Sequence, residues 1–443
     1  MKVLVINADG LQAGYVGAYG NEWIATPTLD RLAAEGIVFD RHYADQPEPE
    51  GARRAWRTGC HHFPEPGPEA ASAGVPADLV ELLSRQGVST TLILDSSQAT
   101  PSEFAHGWQT VQRSEALAEE EGSPLDRALE LAVQAIEELP EAGPWLLWLD
   151  LTTLLPPWNI PENYRELYFQ EDEAEESPDE EEAAEEVVLT PWTDALPARI
   201  DPDDEVAFLR LQRSYAGAVT YLDAGLGLLL DELAERRLLD DLVVVVTTDR
   251  GQPLGEHGMV AADVPWLHEE RVHVPLIIRL PGAAEAGRRV AALTQPVDLL
   301  PTLLDLFGIP TPVVHGHSLL PFCRGPAEPG RPYACSGLQA GGAIEWALRT
   351  REWTFLLPVF PVDESPARGP QLYVKPDDRW EVNNIIQHYL DWAQHLEQTL
   401  RGFVEATRRP GPLQPPELRE IEAVQQEVAT APEDNPQSEG EQT

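Results

Sequence analysis

Short, continuous runs of apolar residues recur along the chain, and each is bounded by turn-forming residues. Five are present, at residues 3–8, 90–94, 145–151, 242–247 and 275–280. Stretches with apolar positions at helical spacing lie between or after them, at residues 28–35, 78–86, 125–139, 205–238 and 297–307. Continuous apolar strands that alternate with amphipathic helices predict an α/β fold, with a mostly parallel sheet covered by helices on both faces.

Two of the predicted strands are followed by an acid. Asp9 comes directly after the run 3–8, and Asp249 follows the run 242–247 after one threonine. In open α/β sheets, binding and chemistry gather at the carboxyl ends of the strands. The sequence therefore places a candidate site at the edge where these two carboxylates would lie.

The pattern divides the chain into three parts. We predict a large α/β domain over residues 1–330, a small α+β subdomain over 331–405 and a flexible tail over 406–443. Strand-like runs at 346–349, 353–357 and 371–374, with a helix from about 386 to 405, indicate the subdomain. Residues 171–186 are almost wholly acidic, which predicts a disordered insertion that could contact a protein partner.

The net charge is −44, from 31 basic and 75 acidic residues. It argues against nucleic acid or an anionic membrane as a partner. No apolar run reaches the roughly 18 residues of a membrane span, and no signal peptide is visible, so we expect a cytoplasmic protein. The three cysteines are too few and too scattered for a disulfide framework.

Several motifs, in order, resemble those of the sulfatase family. They are GAYGN at 17–21, TPTLDRLAAEGIVF at 26–39, TTD at 247–249, GEHG at 255–258, HEE at 268–270, VPLII at 274–278, VDLLPTLLDL at 297–306, GIP at 308–310, GHSLLP at 316–321, LY at 372–373 and NN at 383–384. The resemblance covers roughly residues 1–405. It implies the fold of the alkaline phosphatase-like superfamily.

The resemblance also implies a nucleophile, which the family makes as formylglycine from the Cys or Ser of C/S-x-P-x-R. Counting back from Thr58-Gly59 places Arg53 on the motif arginine and Pro49 on the modified residue. Proline offers no nucleophilic side chain. The stretch 43–57 contains no Cys, Ser or Thr, so a shifted register does not restore the motif.

The family also implies an oxygen-ligated divalent cation, usually calcium, that polarises the sulfate. Its first pair of acids reads Asp9-Gly10 here, and its second pair, Asp followed by Asn or His, reads Asp249-Arg250. Either a cation is still held by Asp9 and Asp249, or the acids form an internal ion pair. We predict that the Arg250 guanidinium occupies the vacated cation position and pairs with Asp9 or Asp249, because buried acids close together would otherwise repel each other. No cofactor is expected; the alternative is a divalent cation such as calcium.

The lysines and histidines that hold sulfate in the family align with other residues here. Their positions carry Asp95, Ser97 and Val264. His257 lies in the retained GEHG turn, where we interpret it as a structural residue. Cys60 stands beside His61 and could form a reactive thiolate, but we interpret it as structural too.

Three functions follow from these observations. The first is a pseudo-sulfatase, a catalytically inactive relative with a binding or regulatory role. The second is a diverged metal-dependent sulfuric or phosphoric ester hydrolase or transferase of the same superfamily that uses Asp9, Asp249 and His257. The third is an interaction protein that acts through the acidic insertion and the tail.

Overall fold

The computed structural model describes residues 1–65, 77–95, 103–114, 122–140, 142–169, 189–201, 203–260, 264–325, 330–360 and 369–421. Within this part of the chain it confirms the predicted α/β fold, with one large, mostly parallel sheet and one small antiparallel sheet. Ser97 and the acidic insertion 171–186 lie outside the described residues, so the predictions for them stay predictions.

The large sheet has eight strands in the order β4-β3-β5-β1-β6-β7-β2-β8. The strands are β1 (Lys2–Ala8), β2 (Ile37–His42), β3 (Ser89–Leu94), β4 (Thr110–Arg113), β5 (Trp145–Leu151), β6 (Leu242–Thr247), β7 (Leu276–Arg279) and β8 (Arg288–Thr294). All pairs are parallel except those of β7, which runs antiparallel to both β6 and β2. The central strands β5, β1 and β6 lie side by side.

Helices cover both faces of this sheet. They are α1 (Pro27–Glu35), α2 (Pro49–Thr58), α3 (Leu79–Arg85), α4 (Pro124–Glu138), α5 (Glu162–Arg165), α6 (Glu205–Glu235), α7 (Glu269–Val272), α8 (Leu299–Leu306) and α9 (Leu320–Cys323). Leu4 and Ile6 of β1 pack in one core with α4 and α6, whereas Val3 and Val5 pack in the other with α2, α3 and α8. The apolar runs are continuous because alternate residues enter different cores.

The second sheet is antiparallel, in the order β12-β11-β10-β9. Its strands are β9 (Ala334–Ala340), β10 (Ala343–Arg349), β11 (Trp353–Phe360) and β12 (Gln371–Val374), and α10 (Leu390–Thr407) packs on it. Residues 406–421 of the predicted tail are described, and the rest of the tail lies outside the described residues. Leu413 and Leu418 pack against the same core, and the Tyr333 hydroxyl donates a hydrogen bond to the Pro416 carbonyl at 2.7 Å.

Some elements were absent from the sequence prediction. These are the strands β2, β4, β8 and β9, the helix α2 and the short helices α5, α7 and α9. The second half of β2 is polar, β4 is an exposed edge strand and β8 opens with two arginines, so none of them forms a continuous apolar run. Helix α2 contains Gly51 and few apolar residues, which hides its periodicity.

Candidate functional site

Four aspartates meet at the carboxyl edge of the large sheet. β1 and β6 pair in parallel, so Asp9 and Asp249 emerge at the same level. Asp150 comes from the neighbouring strand β5, where it pairs in register with Asn7, and Asp95 follows β3. Asp9, Asp150 and Asp249 are fully buried, and Asp95 is nearly so. The predicted meeting of Asp9 and Asp249 at one edge is observed.

Arg53 lies at the centre of these acids, brought there by α2. Its Nη1 donates to Asp249 Oδ2 at 2.9 Å, and its Nη2 lies 2.8 Å from Asp150 Oδ1 and 3.7 Å from Asp9 Oδ2. Its side chain is buried. Burial alone would lower the pKa of Arg53, but the three carboxylates outweigh that effect and raise it. Arg53 is therefore a fixed positive charge among the acids.

Arg250 provides a second guanidinium from the loop after β6. Its Nε donates to Asp9 Oδ1 at 3.2 Å, so the predicted pairing of Arg250 with Asp9 is present. Its side chain keeps 23% of its accessible surface and lies at the outer side of the acids. Arg53 rather than Arg250 lies between Asp150 and Asp249. The motif arginine fills this position because it reaches both Asp150 and Asp249.

The buried acids outnumber these two arginines, and two of them have raised pKa values. Burial, followed by the charge of Asp9, raises the pKa of Asp249, although Arg53 and Arg250 oppose the shift. Burial also raises the pKa of Asp95 to about 7, against the hydrogen bonds from Thr152. Both shifts favour the protonated form of these two carboxyl groups.

Asp95 itself contacts the loop after β5. Its carboxylate accepts hydrogen bonds from the Thr152 backbone N–H at 2.6 Å and from the Thr152 hydroxyl at 2.8 Å. Asp95 stands where the resemblance implies a lysine. A carboxyl group there would repel a second anion rather than bind it.

Pro49 and Gly10 stand where the family has reactive or metal-binding side chains, and each has a role in the local backbone. Pro49 begins α2, so it is a helix-initiating residue. Gly10 has a positive φ of 89°, and a Cβ there would lie 3.2 Å from the Leu155 side chain. A second aspartate at Gly10 would therefore require the local backbone to shift.

The remaining predicted residues do not join the acids. His257 is exposed, its Nε2 lies 3.0 Å from the Trp380 carbonyl oxygen, and the centre of its ring lies 4.5 Å from that of His268 with the rings tilted by 38°. Val264 is half-buried in the loop before α7. Burial raises the pKa of Cys60, which disfavours a thiolate. The structural interpretation of His257 and Cys60 stays a prediction.

Two site residues escaped the sequence analysis. Asp150 is the only charged residue in the apolar run 145–151, and a lone acid in a buried strand is a signal that could have found it. Arg271, on α7, is 4% exposed and donates from Nε and Nη2 to the Pro47 carbonyl at 3.2 and 3.1 Å. Nothing in its sequence context marks it out.

The acids do not fit a hard divalent cation as they are arranged. Such an ion takes about six to eight oxygen ligands. Here the Asp249 and Asp150 oxygens already accept from Arg53, and Asp9 Oδ1 accepts from Arg250. Within the described ranges, no group of three or more His, Cys, Asp or Glu side chains could hold a metal ion. The guanidinium groups of Arg53 and Arg250 supply the positive charge beside these carboxylates.

The sheet order, the helices on both faces and the charged site at the carboxyl edge define an alkaline-phosphatase-like α/β protein. A sequence model of the Sulfatase family matches residues 2–309. The chain belongs to the sulfatase family.

Known sulfatases are similar to the chain in sequence. It is 38% identical over 115 residues to the N-acetylglucosamine-6-O-sulfatase of Bacteroides thetaiotaomicron, across 26% of this chain and 20% of that enzyme. It is 29% identical to arylsulfatase K of Rattus norvegicus, across 41% of this chain and 33% of that protein. The matches thus span about a fifth to a third of these relatives. Iduronate 2-sulfatase of Homo sapiens is 25% identical across 70% of each chain.

Solved structures share the fold. A structure described as a complex with the substrate D-glucosamine-2-N,6-O-disulfate superposes with a TM-score of 0.71 at 21% identity, over 92% of this chain and 97% of that one. The phosphonate monoester hydrolase of Agrobacterium radiobacter gives 0.70 at 19% identity, over 92% and 96%. At these identities the likeness concerns the fold alone. Among the helices of the described residues, none is long and apolar enough to cross a membrane.

Proposed function

We propose that this sulfatase-family chain is a pseudo-sulfatase, which hydrolyses no sulfate ester and has a binding or regulatory role. One observation carries the proposal: the Arg53 guanidinium is bound to Asp249 and Asp150 and lies 3.7 Å from Asp9, and Asp9 and Asp249 align with the family's cation ligands. The oxygens of Asp249 and Asp150 that accept from Arg53 are less available to a metal ion that would polarise a sulfate.

The missing nucleophile supports the same conclusion. Pro49 stands at the position of the modified residue and cannot attack sulfur. Each lost catalytic group costs about 10²–10³ in rate. Because the nucleophile, two cation ligands and the anion-binding lysines are all replaced, little sulfatase activity is expected.

The test is turnover of 4-nitrophenyl sulfate and 4-nitrophenyl phosphate by the full chain, with metal analysis of protein purified without chelator. We expect no release above a buffer blank and less than one equivalent of metal. Turnover that Asp249→Ala abolishes would overturn the proposal.

A diverged metal-dependent ester hydrolase remains the second candidate. One observation favours it: Asp9 Oδ2 is buried and accepts no hydrogen bond within the described residues. That oxygen could bind a cation if Arg53 moved away. A stoichiometric divalent metal in the purified protein would favour this candidate over the first.

Two further proposals concern location and partners. The three cysteines are unpaired, which supports a reducing, cytoplasmic compartment. A protein partner for the acidic insertion is proposed from its charge alone. Pull-down by the full chain, compared with a variant that lacks residues 171–186, tests it.

A further inference from the structure

The tail segment, which we define as residues 410–421, lies on the small subdomain. Leu413, Pro416, Leu418 and Ile421 are half-buried, and the residues between them are exposed. The two leucines and the isoleucine pack against the core that α10 shares with the small sheet. The tail segment is therefore seated on the subdomain as a peptide would be, with a few anchor residues and a solvent-facing side.

Two hydrogen bonds to the subdomain use main-chain atoms of the tail segment. The hydroxyl of Tyr333, a residue that is 3% exposed, donates to the Pro416 carbonyl at 2.7 Å. The Arg419 backbone N–H donates to His395 Nε2 at 3.3 Å. Main-chain contacts of this kind do not depend on the side chain of the bound residue. A different peptide that follows the same course would make them as well.

A glycine on α10 makes room for the tail segment. Gly402 lies inside this helix, although glycine is a poor helix former. A Cβ at this position would lie 2.8 Å from Pro416 Cγ, which is closer than van der Waals contact. The subdomain thus fits a proline ring at this point. We call Tyr333, His395 and Gly402 the tail-binding face.

The tail segment has a composition suited to docking without regular secondary structure. Four of its first seven residues are prolines, at positions 410, 412, 415 and 416. Proline fixes φ and restricts the residue before it to extended conformations, so such a segment loses little entropy when it binds. The half-buried Leu413 and Pro416 are three residues apart, which is the repeat of a polyproline II helix.

We propose that the tail-binding face is a docking site for a proline- and leucine-containing segment of a partner protein, and that the tail segment occupies it as an internal competitor. The pattern that fits is a leucine, a proline three residues later and a second leucine two residues after the proline. Each anchor residue is only half-buried, so release of the tail segment should cost far less than global unfolding. The inference goes beyond the proposed function and uses none of the residues at the edge of the large sheet.

The experiment is titration of the full chain with a labelled synthetic peptide of sequence 410–421, followed by fluorescence anisotropy. In Leu413→Ser/Leu418→Ser the chain's own tail loses two anchors, while the tail-binding face is unchanged. This tail variant should bind the peptide at least about tenfold more tightly than the parent, because a tethered competitor acts at a high effective concentration. Hydrogen exchange at the backbone amides of the tail segment should also be faster in the tail variant.

Gly402→Ala is the matched variant on the tail-binding face. Alanine favours the helix, but its Cβ displaces the Pro416 ring, so the tail segment should exchange faster here too. The added peptide carries the same proline, so this variant should gain no peptide binding. Combined with the tail variant, Gly402→Ala should weaken peptide binding about tenfold. Gln394→Ala, at an exposed position of α10, should change neither measurement.

Equal peptide binding by the parent and the tail variant, or no binding by either, would overturn the inference. A triple variant that binds as tightly as the tail variant would overturn the assigned face. A dimer of the parent that forms with rising concentration and that Gly402→Ala dissociates would assign the face to a second copy instead. If the double change prevents folding, Leu418→Ser alone gives the same comparison. The titration uses no ester, so ester turnover would overturn only the proposed function.

Discussion

Two buried ionic clusters in this chain have opposite electrostatic character. The edge cluster, at the carboxyl edge of the large sheet, consists of Asp9, Asp95, Asp150, Asp249, Arg53 and Arg250. The boundary cluster, between the large sheet and the small one, consists of Glu269, Glu381, Arg349, Lys375, His268 and His273. Both are almost wholly removed from water, so their differences come from the charges that they contain.

In the boundary cluster the cations match the acids. Lys375 Nζ lies 3.3 Å from Glu269 Oε2 and 3.1 Å from Glu381 Oε1, and Arg349 Nη2 lies 3.2 Å from Glu381 Oε1. Burial alone would raise the pKa of Glu269, but Lys375 and His273 outweigh it and lower the pKa to about 2. The same balance, led by Arg349, lowers the pKa of Glu381.

In the edge cluster, by contrast, the pKa values of Asp95 and Asp249 rise. Four aspartates face two arginines, and burial is not fully offset. A cation site needs more acidic than basic side chains, whereas a purely structural cluster does not. In the edge cluster, Asp9 and Asp249 align with the family's cation ligands, and the cations that contact them here are Arg53 and Arg250.

The largest effect is expected for Arg53→Met. It leaves three buried carboxylates without their central partner, so the free energy of unfolding should fall by about 3–5 kcal/mol. Denaturant unfolding at pH 7 measures it. Arg54→Met is the matched control on the same helix, because Arg54 pairs with Glu50 at the surface and should cost less than about 1 kcal/mol. Equal losses in the two variants would show that Arg53 does not neutralise the acids.

A loss of about 3 kcal/mol is expected for Glu381→Gln in the boundary cluster. The amide leaves the buried charges of Arg349 and Lys375 without their shared carboxylate. Exposed Glu352→Gln serves as the control and should stay within about 0.5 kcal/mol of the parent. If Glu381→Gln is as stable as the parent, the two cations do not depend on this carboxylate.

The sequence predicted the ends of β1 and β6, and with them Asp9 and Asp249, because buried parallel strands leave continuous apolar runs. It did not predict that Arg53 lies at the centre. The motif shows an arginine near the site, but which acids it contacts depends on how α2 packs over the sheet. Asp150 is marked in the sequence as a lone acid in an apolar run, but the apolar pattern does not show which cation such an acid meets in the fold.

A smaller difference between the two clusters is expected in how the free energy of unfolding depends on pH. The folded pKa of Asp95 is raised to about 7, so its contribution is fully present below the unfolded pKa near 4 and is lost as the pH rises through about 7. Asp95→Asn should remove this dependence. Relative to the variant, the parent should lose about 1–3 kcal/mol between pH 5 and pH 8.

Unfolding free energies at several pH values in that window measure the difference. Glu269 in the boundary cluster does not interfere, because its folded pKa is lowered to about 2 and its contribution is lost only as the pH falls from about 4 through that value. Parallel pH profiles for Asp95→Asn and the parent would show that Asp95 takes up no proton on folding.

The smallest expected effect is a gain of calcium binding by Arg250→Asn. This change restores the family's residue after Asp249 and frees Asp9 Oδ1, the oxygen that accepts from Arg250. Arg53 still holds Asp249 and Asp150, so the affinity should be weak. Calcium at about ten times its dissociation constant should stabilise the variant by about 1.4 kcal/mol, and the parent not at all. Thermal unfolding with calcium or with chelator measures it, and calcium stabilisation of the parent would mean that arginine has not replaced the cation.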